Sequence, residues 1–375
     1  MDLVLSEEQE LLARTARDFV TGRSSLSRIR RLRDTHDADG FSRELWGEMA
    51  ALGWLGIVIP EEYGGAGLGW LELMVVLEEM GRGLMPEPMI STVLLGGSDA
   101  QKREHLPPIA SGERLLAVAY EEPQSRYDVQ HVATAADKSG SGYLLSGEKV
   151  NVLDGHVADW LIVSARTSAG ARDSGGITLF LVRRDTPGIA VERQSRIDSR
   201  NAVRLRFDDV RVGAEHVLGT IDHGGALLAR VLDRATIGLT AEMLGSMTAA
   251  FDMTVEYLKT RVQFGVLIGT FQALKHRAAK MYIETELARS AVMAAHRALD
   301  EGRDDTTIAR LASIAKARCA DAFNLIAKEG VQMHGGIGMT DEHDIGFFLK
   351  RARVAEMTFG DAAWHRDRYA RVEGY

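Results

Sequence analysis

The sequence predicts an α+β protein in three consecutive parts: an N-terminal helical domain over 1–115, a middle antiparallel β domain over 116–222, and a C-terminal, four-helix-bundle-like domain over 223–375. Three observations carry that prediction. Apolar residues recur every three or four positions toward both ends of the chain. Short β-type runs separated by turn residues fill the stretch between. The C-terminal helical pattern is long and poor in glycine, which suits an antiparallel bundle.

The first helix opens where Ser6 and Gln9 have capping-box spacing, ahead of Leu11, Leu12 and Phe19. Helical patterning resumes at Phe41, Leu45, Trp46, Met49 and Leu52, and the loop Ile59-Pro60-Glu61-Glu62-Tyr63-Gly64-Gly65 ends it. Residues 71–80 give another helix, after which Pro86, Pro88 and Pro108 punctuate the chain. In the middle part Tyr143-Leu144-Leu145, residues 160–163 and residues 177–182 read as strands. Val203, Leu205 and Phe207 alternate with Arg204 and Arg206, the period of a half-buried strand. The turn-rich piece 167–176 reads as a flexible surface loop. Farther on, Leu244, Met247, Phe251, Val255 and Leu258 share one helical stripe, and Ile308, Leu311, Ala315, Cys319, Phe323 and Ile326 another.

A net charge of -8 argues against a nucleic-acid partner, because phosphate binding draws on an excess of lysine and arginine. The basic run Arg23, Arg28, Arg30, Arg31 and Arg33 reads as a solvated face. The single cysteine, Cys319, excludes an internal disulfide and fits a reducing cytoplasm; its periodic setting predicts buried packing. The acidic, polar start is unlike a signal peptide, and the apolar stretch around 52–60 is too short to insert in a membrane. A cytoplasmic protein is expected. Asp341-Glu342-His343-Asp344 collects metal-type residues, but contiguous side chains diverge, so a solvated turn and no metal are expected. Gly65-Ala66-Gly67-Leu68-Gly69 follows no βαβ strand and reads as a loop between helices.

A series of motifs in chain order is similar to the acyl-CoA dehydrogenase family: the loop from Ile59 to Gly65, Glu122-Pro123, Gly147-Glu148-Lys149, Arg261-Val262-Gln263-Phe264-Gly265, Ile268-Gly269-Thr270-Phe271-Gln272, and Gln332-Met333-His334-Gly335-Gly336-Ile337-Gly338. The resemblance implies an FAD enzyme for α,β-dehydrogenation of an acyl-CoA substrate, an electron-transfer flavoprotein partner, and a homo- or hetero-tetramer. It also implies that Arg261, Phe264, Gln272, Gln332, Gly335 and Gly336 contact the FAD of a neighbouring subunit. Those residue types make chemical sense. Arg261 offers a planar, charged fork for phosphate oxygens, and Phe264 a face for adenine or ribose. Gln272 and Gln332 offer amide hydrogen bonds, and the glycines permit close backbone approach. His276 and His334 lie inside motifs, where packing or backbone hydrogen bonding explains them as well as catalysis does.

Other positions depart from the family pattern. Glu121 stands where the family's flavin-binding Thr is expected, and a carboxylate there opposes reduction of the ring unless it turns away or protonates. Asn151-Val152-Leu153 replaces the Trp-Ile-Thr that lies against the ring. The carboxylate base that takes the α proton falls on Phe359, and its alternative location on Ala235; neither can accept a proton. Two nearby acids are candidates: Asp361, otherwise a turn or cap residue, and Glu242, otherwise an interhelical partner. Lys350-Arg351 and the run from Phe359 through Gly360, Asp361, Trp364 and His365 to Arg366 resemble the small-subunit branch, which includes pimeloyl-CoA and steroid side-chain dehydrogenases. Two functions follow. One is a partner subunit in fatty-acid or steroid side-chain catabolism, paired with a Glu-bearing acyl-CoA dehydrogenase subunit and supplying FAD contacts across the interface. The other is a self-sufficient enzyme using Asp361 or Glu242. The first needs no displaced residue.

Overall fold

The computed structural model describes residues 4–88 and 93–375. Helices α1 (Glu7–Arg23), α2 (Leu26–Asp34), α3 (Arg43–Ala51), α4 (Trp70–Arg82), α5 (Val93–Gly96) and α6 (Asp99–Ala110) come first. Strands β1 (Leu116–Ala119), β2 (Ala135–Ser139), β3 (Gly142–Leu153), β4 (Trp160–Arg166), β5 (Ile177–Arg183), β6 (Ile189–Gln194), β7 (Ala202–Gly213) and β8 (Val217–Leu218) follow. The remainder is α7 (Gly224–Thr260), a hairpin of β9 (Val262–Gln263) and β10 (Val266–Leu267), then α8 (Gln272–Asp300), α9 (Asp305–His334), α10 (Ile345–Met357) and α11 (Ala362–Glu373). The order helices, sheet, helices is the predicted one.

Contacts group the chain into two units. One, mostly helical, holds Met1–Thr35, Gly69–Met85 and Asp233–Tyr375; the other, around the sheet, holds His36–Leu68 and Pro86–Leu232. The N-terminal helices are thus divided: α1, α2 and α4 belong with the C-terminal helices, α3 and α6 with the sheet.

In the helical unit the predicted stripes face inward: Leu244, Met247, Phe323 and Ile326 are fully buried with Met74 and Phe348. Each such side chain contributes about 1.5–3 kcal/mol through burial. Cys319 is among them; burial pushes its thiol up to about 12, so it packs and does not react. Ser6 and Gln9 form the predicted capping box, with Gln9 N donating to Ser6 Oγ (3.2 Å) and Ser6 N to Gln9 Oε1 (3.0 Å).

The sheet runs β6-β7-β3-β2-β4-β5-β8, with β1 also on β4. Its pairings are antiparallel except β1 and β2 with β4, so the expected antiparallel sheet is locally mixed. The β2–β3 hairpin lies between β1 and β4 in sequence and gives the length a parallel return needs. Val203, Leu205 and Phe207 are buried while Arg204 and Arg206 are not, as alternation predicts. The residues of 167–176 are largely exposed, yet Arg166 ties the loop by donating to the carbonyls of Ala171 (2.9 Å), Asp173 (3.1 Å) and Gly175 (2.5 Å). Pro108 does not break the chain; with Pro107 it sits in the last turn of α6.

One surface expectation needs correcting. Arg28 is buried and donates to Ser24 Oγ, and Arg30 and Arg33 pair with Asp341 and Asp344. The basic run is therefore no uniformly solvated face, while the acidic run is the expected turn with Asp341 and Glu342 exposed, its carboxylates paired with distant arginines that local periodicity could not show. Among the described residues no helix is long and apolar enough to cross a membrane, and no group of three or more metal-type ligands converges.

Candidate cofactor site

The hairpin after α7 shows why its residues point outward. Phe264 (φ 53°) and Gly265 (φ 79°) both take left-handed conformations, the requirement of a two-residue turn whose twist matches its strands. Ile268 N donates to Arg261 O (2.9 Å) and closes the base of the hairpin. The result presents Phe264 at 92% exposure, with Val262, Val266, Leu267 and Phe271 also exposed. These side chains form an exposed apolar cluster around the hairpin, with the Phe264 and Phe271 rings 6.3 Å apart.

Polar residues on the same unit are equally uncommitted. Arg261, Gln272 and Gln332 are exposed, and their side chains make no hydrogen bond or ion pair among the described residues. After α9 the chain turns at Gly335 (φ 64°, ψ -140°), a conformation essentially restricted to glycine. Gly336 is exposed, and a Cβ added there would meet nothing within 4 Å. Among the described residues no contact demands glycine at 336, and the backbone there is open to close approach. An open guanidinium, two amides, an exposed ring and a bare glycine turn suit phosphate, ribose and adenine, so these residues fit the dinucleotide part of FAD. His334 is buried with Nδ1 donating to Gly330 O (2.6 Å), as expected, but His276 is exposed, not packed.

The corner the resemblance assigns to the flavin ring, on the sheet unit, is different. The register of β3 on β7 shifts between Lys149 and Val152, and Asn151 (φ 52°) occupies that bulge. Asn151 N donates to Gln194 Oε1 (3.2 Å), and Asn151 Nδ2 to Glu121 Oε1 (3.1 Å). Desolvation raises the Glu121 carboxyl above its usual range, against the lowering effects of Asn151 and Arg196. Leu153, half-buried, offers no hydrogen bond. An acid and an amide bonded to each other do not fit an electron-rich ring that needs donors and a stacking face.

Directly behind them lies a feature that sequence reasoning missed. Lys149 and Glu122, in motifs read separately, form a buried pair, Nζ to Oε1 2.6 Å. Lys149 also reaches Ser164 Oγ (2.9 Å), and Glu122 accepts from Ala133 N, Thr134 N and Thr134 Oγ1. Desolvation works to raise Glu122, but Lys149 and these donors outweigh it and hold the carboxyl below its usual range. Burial brings Lys149 down to about 8.

The two positions at which the resemblance led us to look for a base lie in the helical unit. Ala235 is buried on α7, and Phe359 (φ 60°) precedes Gly360 (φ 110°) in the α10–α11 turn. Buried Lys316 donates to Glu356 O (2.8 Å) and Gly360 O (2.6 Å), and burial brings its amine down to about 7. His365 Nε2 donates to Phe359 O (3.1 Å), and burial drives that ring down to about 3. Asp361 caps α11, accepting from Trp364 N (2.8 Å). Glu242 takes the Arg351 fork at 2.9 Å on both oxygens. Both candidate acids thus hold the structural posts considered for them.

The whole chain has counterparts. Family models for the acyl-CoA dehydrogenase N-terminal, middle and C-terminal domains match residues 6–113, 117–210 and 222–373. The chain is 34% identical to the mitochondrial isovaleryl-CoA dehydrogenase of Pongo abelii, over 96% of this chain and 88% of that protein. Butyryl-CoA dehydrogenase from Megasphaera elsdenii superposes with a TM-score of 0.91 at 28% identity over 100% of both chains. A chain of the Tcur3481-Tcur3483 steroid ACAD G363A variant does so with a TM-score of 0.87 at 33% identity over 98% of both. The protein belongs to the acyl-CoA dehydrogenase family, whose members are FAD-dependent oxidoreductases.

Proposed function

We propose that this chain serves α,β-dehydrogenation of an acyl-CoA as a partner subunit, lending dinucleotide contacts to FAD across an interface and contributing no base of its own. The observation that carries this reading is the split between its two sets of residues. Arg261, Gln272 and Gln332 are exposed and uncommitted, while Glu121, Asn151, Asp361 and Glu242 are bonded to other groups of the chain. In the assembled site Arg261 grips phosphate oxygens, Phe264 covers adenine or ribose, Gln272 and Gln332 donate amide hydrogen bonds, and Gly335 and Gly336 admit the ligand to the backbone. Bound FAD supplies the oxidant. The proton leaves to a carboxylate on the other subunit, because Phe359 and Ala235 accept none.

The exposed apolar hairpin supports assembly, as a homo- or hetero-tetramer, and a cytoplasmic setting with an electron-transfer flavoprotein as electron acceptor completes the reading. The steroid ACAD among the similar structures carries a double designation, which favours a paired arrangement and steroid side-chain catabolism. A second reading is a self-sufficient dehydrogenase, favoured by the single dehydrogenase names of the curated relatives. In that case Asp361 must leave its cap or Glu242 its arginine. Expressing the chain with and without a Glu-bearing relative, and assaying each with acyl-CoA and an artificial acceptor, separates the two. Activity only with the relative supports the partner reading; activity alone removes it.

A further inference from the structure

The segment joining α9 to α10 holds the glycines just described, and it has almost no apolar anchor. Gly335, Gly336, Ile337, Met339, Thr340, Asp341 and Glu342 are exposed, and Gly338 alone among 335–342 is buried. Hydrophobic burial cannot hold such a turn in place. Charges from the other end of the chain do.

The Arg33 fork takes both Asp341 carboxylate oxygens at 2.7 Å across 308 residues of sequence. Arg30 reaches Asp344 Oδ1 (2.8 Å), Asp341 Oδ2 (3.1 Å) and the Asp341 carbonyl. Both guanidinium groups lie over the buried Phe347 ring, at 4.8 and 5.3 Å, which fixes their planes. Lys350 Nζ adds a third cation 3.6 Å from Asp341.

From the acidic run the contacts continue toward the glycines. His343 Nδ1 accepts from Ile345 N (3.2 Å), and its ring lies 4.4 Å from that of His334. The Tyr257 ring lies 4.5 Å from His334, which is 2% exposed and immediately precedes Gly335. A Cβ at Gly338 would stand 2.6 Å from Val331 O and 2.9 Å from His334 Cβ, so the turn folds back tightly on the end of α9.

We infer that Arg30 and Arg33 of α2, acting through Asp341 and Asp344, are positioning residues for the turn that carries Gln332, Gly335 and Gly336 to the dinucleotide. The inference rests on the dinucleotide reading of that turn. It gives a function to the basic run, the acidic run and His334, which the reaction itself leaves unused.

Two measurements on the full chain in its purified assembly test it, comparing Arg33→Gln and Asp341→Asn with the unaltered protein. Hydrogen exchange without ligand is expected to quicken at 335–344 and not in α8. FAD titration, followed by flavin fluorescence, is expected to show about tenfold weaker binding, largely restored by Arg33→Lys, which keeps the charge. Unchanged exchange at the turn, or faster exchange with unchanged FAD affinity, overturns the inference. Should either variant fold poorly, Lys350→Gln removes the weaker contact to the same carboxylate and must give a smaller effect in the same direction; no effect on the turn counts against the clamp. An Arg261→Gln protein that binds FAD as well as the unaltered one sinks the dinucleotide reading instead, and leaves the exchange result standing.

Discussion

The exposed face of the helical unit and the Glu121–Asn151 corner of the sheet unit have opposite economies of polar groups. On the first, a guanidinium and two amides have no partner among the described residues, and the Gly335-Gly336 turn is exposed. At the second, an acid, an amide, a buried lysine and a second acid satisfy one another. Unspent donors on a surface are a binding site in waiting, whereas donors spent internally are architecture. The same chain therefore leaves polar groups open to solvent in one motif-rich region and ties Glu121 to Asn151 in the other.

The largest expected effect comes from breaking the buried pair of the sheet unit. Glu122→Leu strands the Lys149 ammonium without its counter-charge, and stability should fall by about 3–5 kcal/mol, read from denaturant unfolding. A loss under about 1 kcal/mol would mean that the pair is not structural and that the contrast is wrong. The open face should respond in the reverse manner. Arg261→Gln should leave the unfolding midpoint unchanged while FAD affinity drops by about 2–3 kcal/mol, the worth of a charge-assisted phosphate contact. Equal stability with equal FAD affinity would show that Arg261 does not contact the dinucleotide.

How far the sequence reveals these two regions differs as well. Helical stripes such as Leu244 and Met247, and the alternation at Val203, Leu205 and Phe207, come through because burial follows local period. The face around Arg261 comes through because its residues are contiguous in short motifs. The corner does not: Lys149 and Glu122 lie 27 residues apart, and each motif alone gives no sign of the other. The same limit hides the pairing of Arg33 with Asp341, and no period marks Gln194 as the acceptor for Asn151 N. Glu121 and Phe359 are visible as departures, but only the fold shows what they do instead.

Lys316 sharpens the contrast within the helical unit, as a spent donor bound to the carbonyl of Gly360. Its folded value of about 7 lies below the ordinary 10.5, so between those pH values the unfolded chain binds the extra proton and stability rises with pH. That contribution is present above the unfolded value and is lost as pH falls through about 7. Lys316→Met should flatten this rise in pH-dependent unfolding, and should cost about 1–3 kcal/mol through the carbonyls of Glu356 and Gly360 left without a donor. An unaltered pH slope would show that the amine is not buried as described. The smallest effect belongs to Asp361→Ala, which should cost about 1 kcal/mol of stability by removing the α11 cap and leave turnover of the assembly unchanged.

Whether the chain supplies a base of its own is decided by its turnover when purified alone. Purified alone, loaded with FAD and given acyl-CoA with an artificial electron acceptor, the protein should show no turnover, and activity should appear only on co-expression with a relative carrying the carboxylate before its C-terminal glycine. Turnover by the chain alone, abolished by Asp361→Asn or Glu242→Gln, would show that the chain carries its own base.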